Sequence, residues 1–376
     1  MQSVLHIVER LDRGAVEGWL LRMLAHARGC GVAVDWSFYC ALGGEGTQDD
    51  TARDLGARVI HSPVPRARKI AFVDALRAQL RDGRYTVLHC HHDLVSALYL
   101  VAAAGLPIER RIVHVHNADE AILTPNLFKQ RLYREPARRI CLVLADRIVG
   151  ISNHTLDTFI SERRRRPGRD VVHYYGVDPT PFHAASADRL GFRRRLNLPP
   201  DALILLYGGR LVPEKNPMFV VDVLSRLRSM EPRVVAVFAG AGSLEQEILA
   251  RTRRLGVGDV VRLLGWRNDL PEIMTCSDWF ILPHPERPME GFGLAVVEAQ
   301  LAGLRLLLSR GIADDPLLPT ASFYRLALAD GAERWAMAAL ELLRAPRPSR
   351  QDALAAFRRS PMDMDRALSE LLALHA

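Results

Sequence analysis

The sequence predicts an α/β protein made of two doubly wound, Rossmann-like domains. Short β-rich apolar runs alternate with helix-periodic segments from Ser3 to Val177, and the alternation restarts from Leu203 to Ser309. A chain of 376 residues has two domains as its default. Residues 179–200, rich in Ala, Pro and Arg, read as the linker. The expected division is a first domain over 1–180 and a second over 181–361. A closing helix over 362–376 is apolar on one face and needs a surface, which the first domain can supply.

In the first half, Ser3–Val8 is a β-rich run suited to a buried parallel sheet. The loop from Leu11 to Gly18 leads to a periodic helix from Trp19 to about Arg28. This loop bears glycine but is not G-x-G-x-x-G, so no dinucleotide fingerprint is present. Val32–Cys40 and Ala57–His61 follow as strands, and Phe72–Arg81 as a helix. Thr86–Cys90 is a strand running into His91-His92-Asp93. Leu94 to Ile108 reads as a buried helix and its exit. Arg111–Asn117 is a strand carrying His114 and His116, Arg147–Ile151 is another, and Val171–Val177 closes the half.

The second half repeats the scheme. Strands are expected at Leu203–Tyr207, Val234–Ala239, Val260–Leu264, Trp279–Leu282 and Leu304–Ser309. Helices are expected at Met218–Ser229, through about Leu255, and at Leu270–Cys276. The tail is helical at Ala332–Arg344, Gln351–Arg358 and Met364–His375.

Composition narrows the function classes. Residues 1–180 hold 25 Arg/Lys and 20 Asp/Glu, and the rest hold 25 and 23, for a net charge of +7. That surplus suits an anionic ligand or membrane surface better than a nucleic-acid footprint. Only Lys69, Lys129 and Lys215 are lysines. The five cysteines are scattered, odd in number and without CxxC, which points to reduced thiols rather than a disulfide frame or zinc site. No signal peptide is evident, and the longest apolar stretch falls short of a bilayer span. A cytoplasmic location is expected, with peripheral contact at the inner face of the plasma membrane. The segment from Pro63 to Phe72, with Arg66, Arg68 and Lys69 beside apolar residues, fits such contact or a plain solvated helix start.

The chemistry concentrates at Pro283 to Ala299. After the apolar strand Trp279–Leu282, three prolines rule out helix before Glu290. Gly291 and Gly293 bracket Phe292, and an apolar helix follows with Glu298 inside it. A glycine-lined helix start offers bare N–H groups to an anion. Glu298, over a turn further on, is placed for ribose hydroxyls, and Glu290 for the reacting end. The alternative is a helix whose first turn merely favours acids. A rigid loop after Leu203–Tyr207 carries Arg210 and Lys215, a fork and a point charge suited to a departing diphosphate. His114 and His116 share one face of their strand. They read as hydrogen-bonding histidines facing a cleft, with Asn117 opening the loop; Asp119 and Glu120 follow in no metal-ligand spacing, so no metal is expected.

Arg210-x4-Lys215, Gly240-Ala-Gly242, Val260-x3-Leu264-Gly265, Asp278 and Glu290-Gly291-Phe292-Gly293-x4-Glu298 occur in order. In these the chain resembles the retaining, nucleotide-sugar-dependent glycosyltransferases of family 4, with the GT-B fold. Arg13-Gly14-Ala15-Val16-Glu17, His114-Val-His116-Asn117, Gly176-Val177-Asp178, Ala302-Gly303-Leu304 and Glu333-x-Trp335-Ala336 resemble a subgroup that builds bacterial exopolysaccharides and related surface glycans, lipopolysaccharide among them. The chain departs from that subgroup at Ala15, where a second glycine is usual, at Tyr175 in place of asparagine and at Arg305 in place of proline.

The resemblance implies two Rossmann-like domains facing across a cleft, with the C-terminal helix crossing back to the first. It implies that Arg210 and Lys215 hold the donor diphosphate, and that the amides around Phe292 and Gly293 bind sugar and phosphates. Glu298 would bind the ribose, Glu290 the sugar, and Gly265, Trp266 and Arg267 would flank the base. His116 would lie near the donor sugar and acceptor. Gly14 and Glu17 would close over phosphate and acceptor, with His114 and Asn117 beside them. The implied activity is metal-independent, cofactor-free hexosyl transfer, most simply from a UDP-sugar to a saccharide or lipid-linked acceptor. Two other readings stay open: a non-catalytic relative that binds nucleotide or glycan for a partner enzyme, and another GT-B enzyme, an epimerase or a pyridoxal-phosphate-dependent phosphorylase.

Overall fold

A computed structural model describes residues 2–12, 14–118, 127–185 and 188–376, with side chains undescribed over 127–131. Arg13, Asp119 and Glu120 lie outside the described residues. The chain divides into two compact units, one formed by Met1–Gly176 with Met364–Ala376, the other by Val177–Asp363.

The first unit is a seven-stranded sheet of β1 (Ser3–Val8), β2 (Asp35–Cys40), β3 (Arg58–His61), β4 (Val87–Cys90), β5 (Arg110–Val115), β6 (Arg147–Gly150) and β7 (Asp170–Val172), in the order β3-β2-β1-β4-β5-β6-β7. Every pairing is parallel. The order reverses between β1 and β4, the switch point at whose carboxyl edge open α/β sheets place ligands. One side is aliphatic and aromatic: Leu5, Ile7, Leu88 and Cys90 pack with Phe72, Leu76 and Tyr99. The other departs from the usual apolar make-up of buried parallel strands. His6, His89, His91, His114, His116 and His173 are all buried, together with Trp19 of the Ala15–Gly29 helix and His375 of the Met364–His375 helix. Those two helices touch each other, so the chain end packs within this unit.

The second unit is a six-stranded parallel sheet of β8 (Leu203–Gly208), β9 (Val234–Ala239), β10 (Val261–Leu263), β11 (Trp279–Leu282), β12 (Arg305–Ser309) and β13 (Phe323–Leu326), in the order β10-β9-β8-β11-β12-β13. Here the switch point lies between β8 and β11. All four β11 side chains are buried, and Trp279 donates its indole N–H to Ala339 O at 2.9 Å. Burial of such side chains contributes about 1.5–3 kcal/mol each.

The stretch expected as a linker is mostly structured. Thr180–Ala184 and Arg189–Arg195 are short helices of the second unit, the latter capped by Asp188 Oδ1 accepting from Gly191 N at 2.8 Å. Two of its four arginines are held inward: Arg193 is buried, and Arg189 and Arg193 both reach Asp278. Composition suggested a linker, but a buried carboxylate supplies the partner that charge requires. The β7 strand is also shorter than the Val171–Val177 run.

Candidate functional site

In the second unit, strand order brings the two chemical stretches together. Arg210 and Lys215 follow β8, and Glu290 follows β11, its immediate neighbour in the sheet. Lys215 Nζ donates to Glu290 Oε2, and His284 Nε2 lies 3.7 Å from the same oxygen. Burial pushes the Glu290 carboxyl upward, but Lys215, then His284 and Arg210, outweigh it and hold it below the usual carboxylate range. His284 is itself held below its ordinary value, mainly by burial. Arg210 is exposed and joins no ion pair among the described residues.

The glycines have separable purposes. A Cβ on Gly240 would fall 1.9 Å from Gly209 O, and one on Gly242 2.3 Å from Leu211 O. These glycines therefore let the loop after β9 lie against the Arg210 loop, tied by Gly209 N to Ala239 O and Leu211 N to Ala241 O, each at 3.0 Å. Gly293 differs: it has room for a Cβ but sits at φ +88° as the N-cap of the Leu294–Leu301 helix, a left-handed conformation that favours glycine. Phe292 is buried beside it and fixes the bend. Glu298 is half-buried in the second turn of that helix. Glu290 N donates to Gly311 O at 2.8 Å, and Asn216 Nδ2 to Pro283 O at 3.2 Å, so both loops are anchored by backbone. Gly265 O accepts from Gly240 N at 2.8 Å, bringing its turn alongside the same loops. Trp266 is 57% exposed, and Arg267 is paired with Asp269 at 2.7 Å.

In the first unit, the predicted residues separate. His116 N donates to Asp93 Oδ1 at 2.7 Å, and Asn117 Nδ2 to Asp93 Oδ2 at 2.7 Å. Asp93 takes an unusual φ of 43° to do so, and burial raises its carboxyl to about 6. His116 Nδ1 lies 2.6 Å from Tyr175 Oη, so the tyrosine that replaces the subgroup's asparagine holds the ring. Asn117 is exposed, and with Asp93, Arg134 and Arg138 it lines a small pocket. His114 does not face a cleft. It is fully buried, with Nδ1 3.2 Å from His89 Nε2, because β5 is central and covered by the Trp19 side of its helix. Glu17 folds back over Gly14, where a Cβ would meet its Oε2 at 2.1 Å, and burial raises its carboxyl.

Sequence reasoning missed Asp93, Arg134, Arg138 and His284. The run ending in Asp93 at a strand's carboxyl end was a signal for the first. The others became visible only through packing.

Known proteins place this arrangement. The glycosyl transferases group 1 family matches residues 188–312, and the glycosyl transferase 4-like domain matches residues 14–176, together well over half the chain. The chain is a glycosyltransferase of the GT-B fold. It is similar to EpsF of Bacillus subtilis (strain 168), classed among glycosyltransferases, at 26% identity over 93% of this chain and 90% of that one. It is also 26% identical, over 69% of its length and 67% of the other's, to the UDP-Gal:alpha-D-GlcNAc-diphosphoundecaprenol alpha-1,3-galactosyltransferase of Escherichia coli. The crystal structure of Anabaena Alr3699/HepE in complex with UDP superposes with a TM-score of 0.79 at 18% identity, over 99% of this chain and 98% of that one.

Proposed function

We propose that this glycosyltransferase is a retaining, family 4 enzyme. It moves a sugar from a UDP-linked donor to a saccharide or lipid-linked acceptor in bacterial surface polysaccharide synthesis. The Lys215–Glu290 pair at the mouth of the Gly291–Gly293 bend carries the reading. Without donor, the buried carboxylate occupies the lysine. A diphosphate would take Lys215 over and free Glu290 to accept sugar hydroxyls. Arg210 adds a second cation, so the leaving group is neutralised without a metal at the phosphates. The helix start at Gly293 supplies N–H donors to the anion, Glu298 the ribose contact, and Trp266 a face for the base. The family resemblance favours front-face displacement over the two-carboxylate route of retaining glycosidases. The departing phosphate then receives the acceptor proton.

The acceptor falls to the first unit, with Gly14, Glu17, His116 and Asn117 as contacts. The printed activity of the E. coli relative, on a diphosphoundecaprenol-linked sugar, supports a lipid-linked acceptor, and the UDP in the HepE crystal supports the donor base. No helix among the described residues is long and apolar enough to cross a membrane. Ile70 is 82% exposed in the Lys69–Asp82 helix, beside Arg68 and Lys69, and fits peripheral contact with an anionic bilayer. The test is product analysis: incubation with UDP-sugars and diphospholipid-linked or free saccharide acceptors, read by mass and by anomeric NMR. A product with the donor's anomeric configuration supports the reading, and an inverted one contradicts retention.

A further inference from the structure

The buried histidines of the first unit are not used by the proposed reaction. His6 and His89 are register partners on β1 and β4, and His375 reaches them from the C-terminal helix. His89 Nδ1 lies 3.0 Å from His375 Nε2. One ring nitrogen from each of His6, His89 and His375 falls within 4.8 Å of the other two, and all three residues are at most 2% exposed.

We propose that His6, His89 and His375 form a structural site for a first-row transition-metal ion of the zinc class. The hydrogen bonds of His6 and His89 fit one consistent set of tautomers, while His375 Nδ1 is buried without a hydrogen-bond partner among the described residues. A neutral imidazole has one N–H and one lone pair. His6 Nδ1 lies 3.0 Å from His91 Nε2, His91 Nδ1 3.0 Å from His116 Nε2, and His116 Nδ1 2.6 Å from Tyr175 Oη. If each ring donates outward along that chain, His6 keeps its lone pair at Nε2, a buried atom with no hydrogen-bond partner among the described residues. Likewise, His89 Nε2 donating to His114 Nδ1 at 3.2 Å leaves its lone pair at Nδ1, toward His375. Metal-bound histidines characteristically donate their second N–H to such an outer partner.

The separations suit an ion. Zinc–nitrogen bonds of about 2.0–2.1 Å in tetrahedral geometry set nitrogens roughly 3.3 Å apart, close to the His89–His375 spacing. An all-imidazole set selects zinc, copper or nickel over calcium or magnesium. The ion would pin the Met364–His375 helix to the sheet, coupling its binding to the folding of this unit. This departs from the metal-free expectation of the sequence, which rested on the cysteine spacing, the His114-x-His116 stretch with Asp119 and Glu120, and the family resemblance, and did not consider His6, His89 and His375 together. The ligands of this site come from β1, β4 and the chain end.

The test uses the full chain, stripped with chelator and titrated with zinc or cobalt chloride. One ion bound per chain, a visible cobalt d–d band and a raised Tm are expected. His6→Gln and His375→Phe should abolish them, whereas His26→Ala and His61→Ala, in two other groups of potential ligands, should not. If the substituted chains fail to fold, anomalous scattering from zinc-soaked wild-type crystals locates the ion instead. Folded wild-type protein that takes up neither ion, uptake that survives His375→Phe in a folded chain, or an anomalous peak away from the trio overturns the proposal.

Discussion

Lys215 and Glu290, 75 residues apart in sequence, meet in an ion pair whose carboxylate is nearly buried. The pairing follows from strand order, because β8 and β11 are neighbours at the switch point. It gives the proposed donor site a resting state in which each charge satisfies the other.

Lys215→Ala is expected to lower kcat/KM for the UDP-sugar about 10²–10³-fold, the usual cost of losing one preorganised charge contact. Lys215→Arg should retain part of the activity. Steady-state kinetics on folded variants checks this. Because Glu290 is now held down by Lys215, its stabilising contribution is present above the ordinary carboxylate pKa and lost as pH falls through its depressed value. In Lys215→Ala, with burial prevailing, the sign reverses: the Glu290 contribution should be lost as pH rises, not as it falls.

Glu298→Ala and Glu290→Ala should separate nucleotide from sugar. The first should weaken binding of UDP itself by about ten- to a hundredfold, a lost charged hydrogen bond being worth roughly 1.5–3 kcal/mol. The second should leave UDP affinity nearly unchanged and lower turnover of the UDP-sugar. Calorimetric titration with UDP, alongside initial rates, distinguishes them.

Asp93 offers a pH-dependent prediction. Its carboxyl is raised by burial to about 6, from an ordinary value of 3.8. Its contribution is fully present below the ordinary value and is lost as pH rises through about 6, a swing of about 3 kcal/mol. The stability difference between the wild type and Asp93→Asn should therefore change between pH 4 and 7, and be flat above. Paired denaturant titrations cancel the other titrating groups.

Tyr175→Phe removes the hydroxyl 2.6 Å from His116 Nδ1. A buried imidazole left without that partner costs about 1–3 kcal/mol. The expected result is a lower Tm and a raised acceptor KM, with UDP binding unchanged.

Much of the fold was legible because buried parallel strands are apolar and their helices periodic. β9, β11 and the helices Leu270–Cys276 and Met364–His375 begin and end where the pattern placed them. β13 was not foreseen, since Phe323 is exposed and Arg325 interrupts any apolar run in this edge strand. Residues 179–200 read as a linker because Asp278, which holds Arg189 and Arg193, is 85–89 residues away. In the donor site, residue types and spacings pointed to Arg210, Lys215, Glu290 and Glu298, but not to the pairing of Lys215 with Glu290. The histidine-lined core was least legible: its members are spread from His6 to His375, and only the sheet gathers them.

The most direct measurement of the central claim is a thermal-shift series with UDP-, GDP- and ADP-sugars on the wild type, Lys215→Ala and Glu298→Ala. The account predicts that a UDP-sugar raises the Tm of the wild type, and that the shift, measured against each protein's own ligand-free Tm, shrinks in both variants. A folded wild-type protein that no nucleotide sugar stabilises, or stabilisation unchanged by both substitutions, would contradict it.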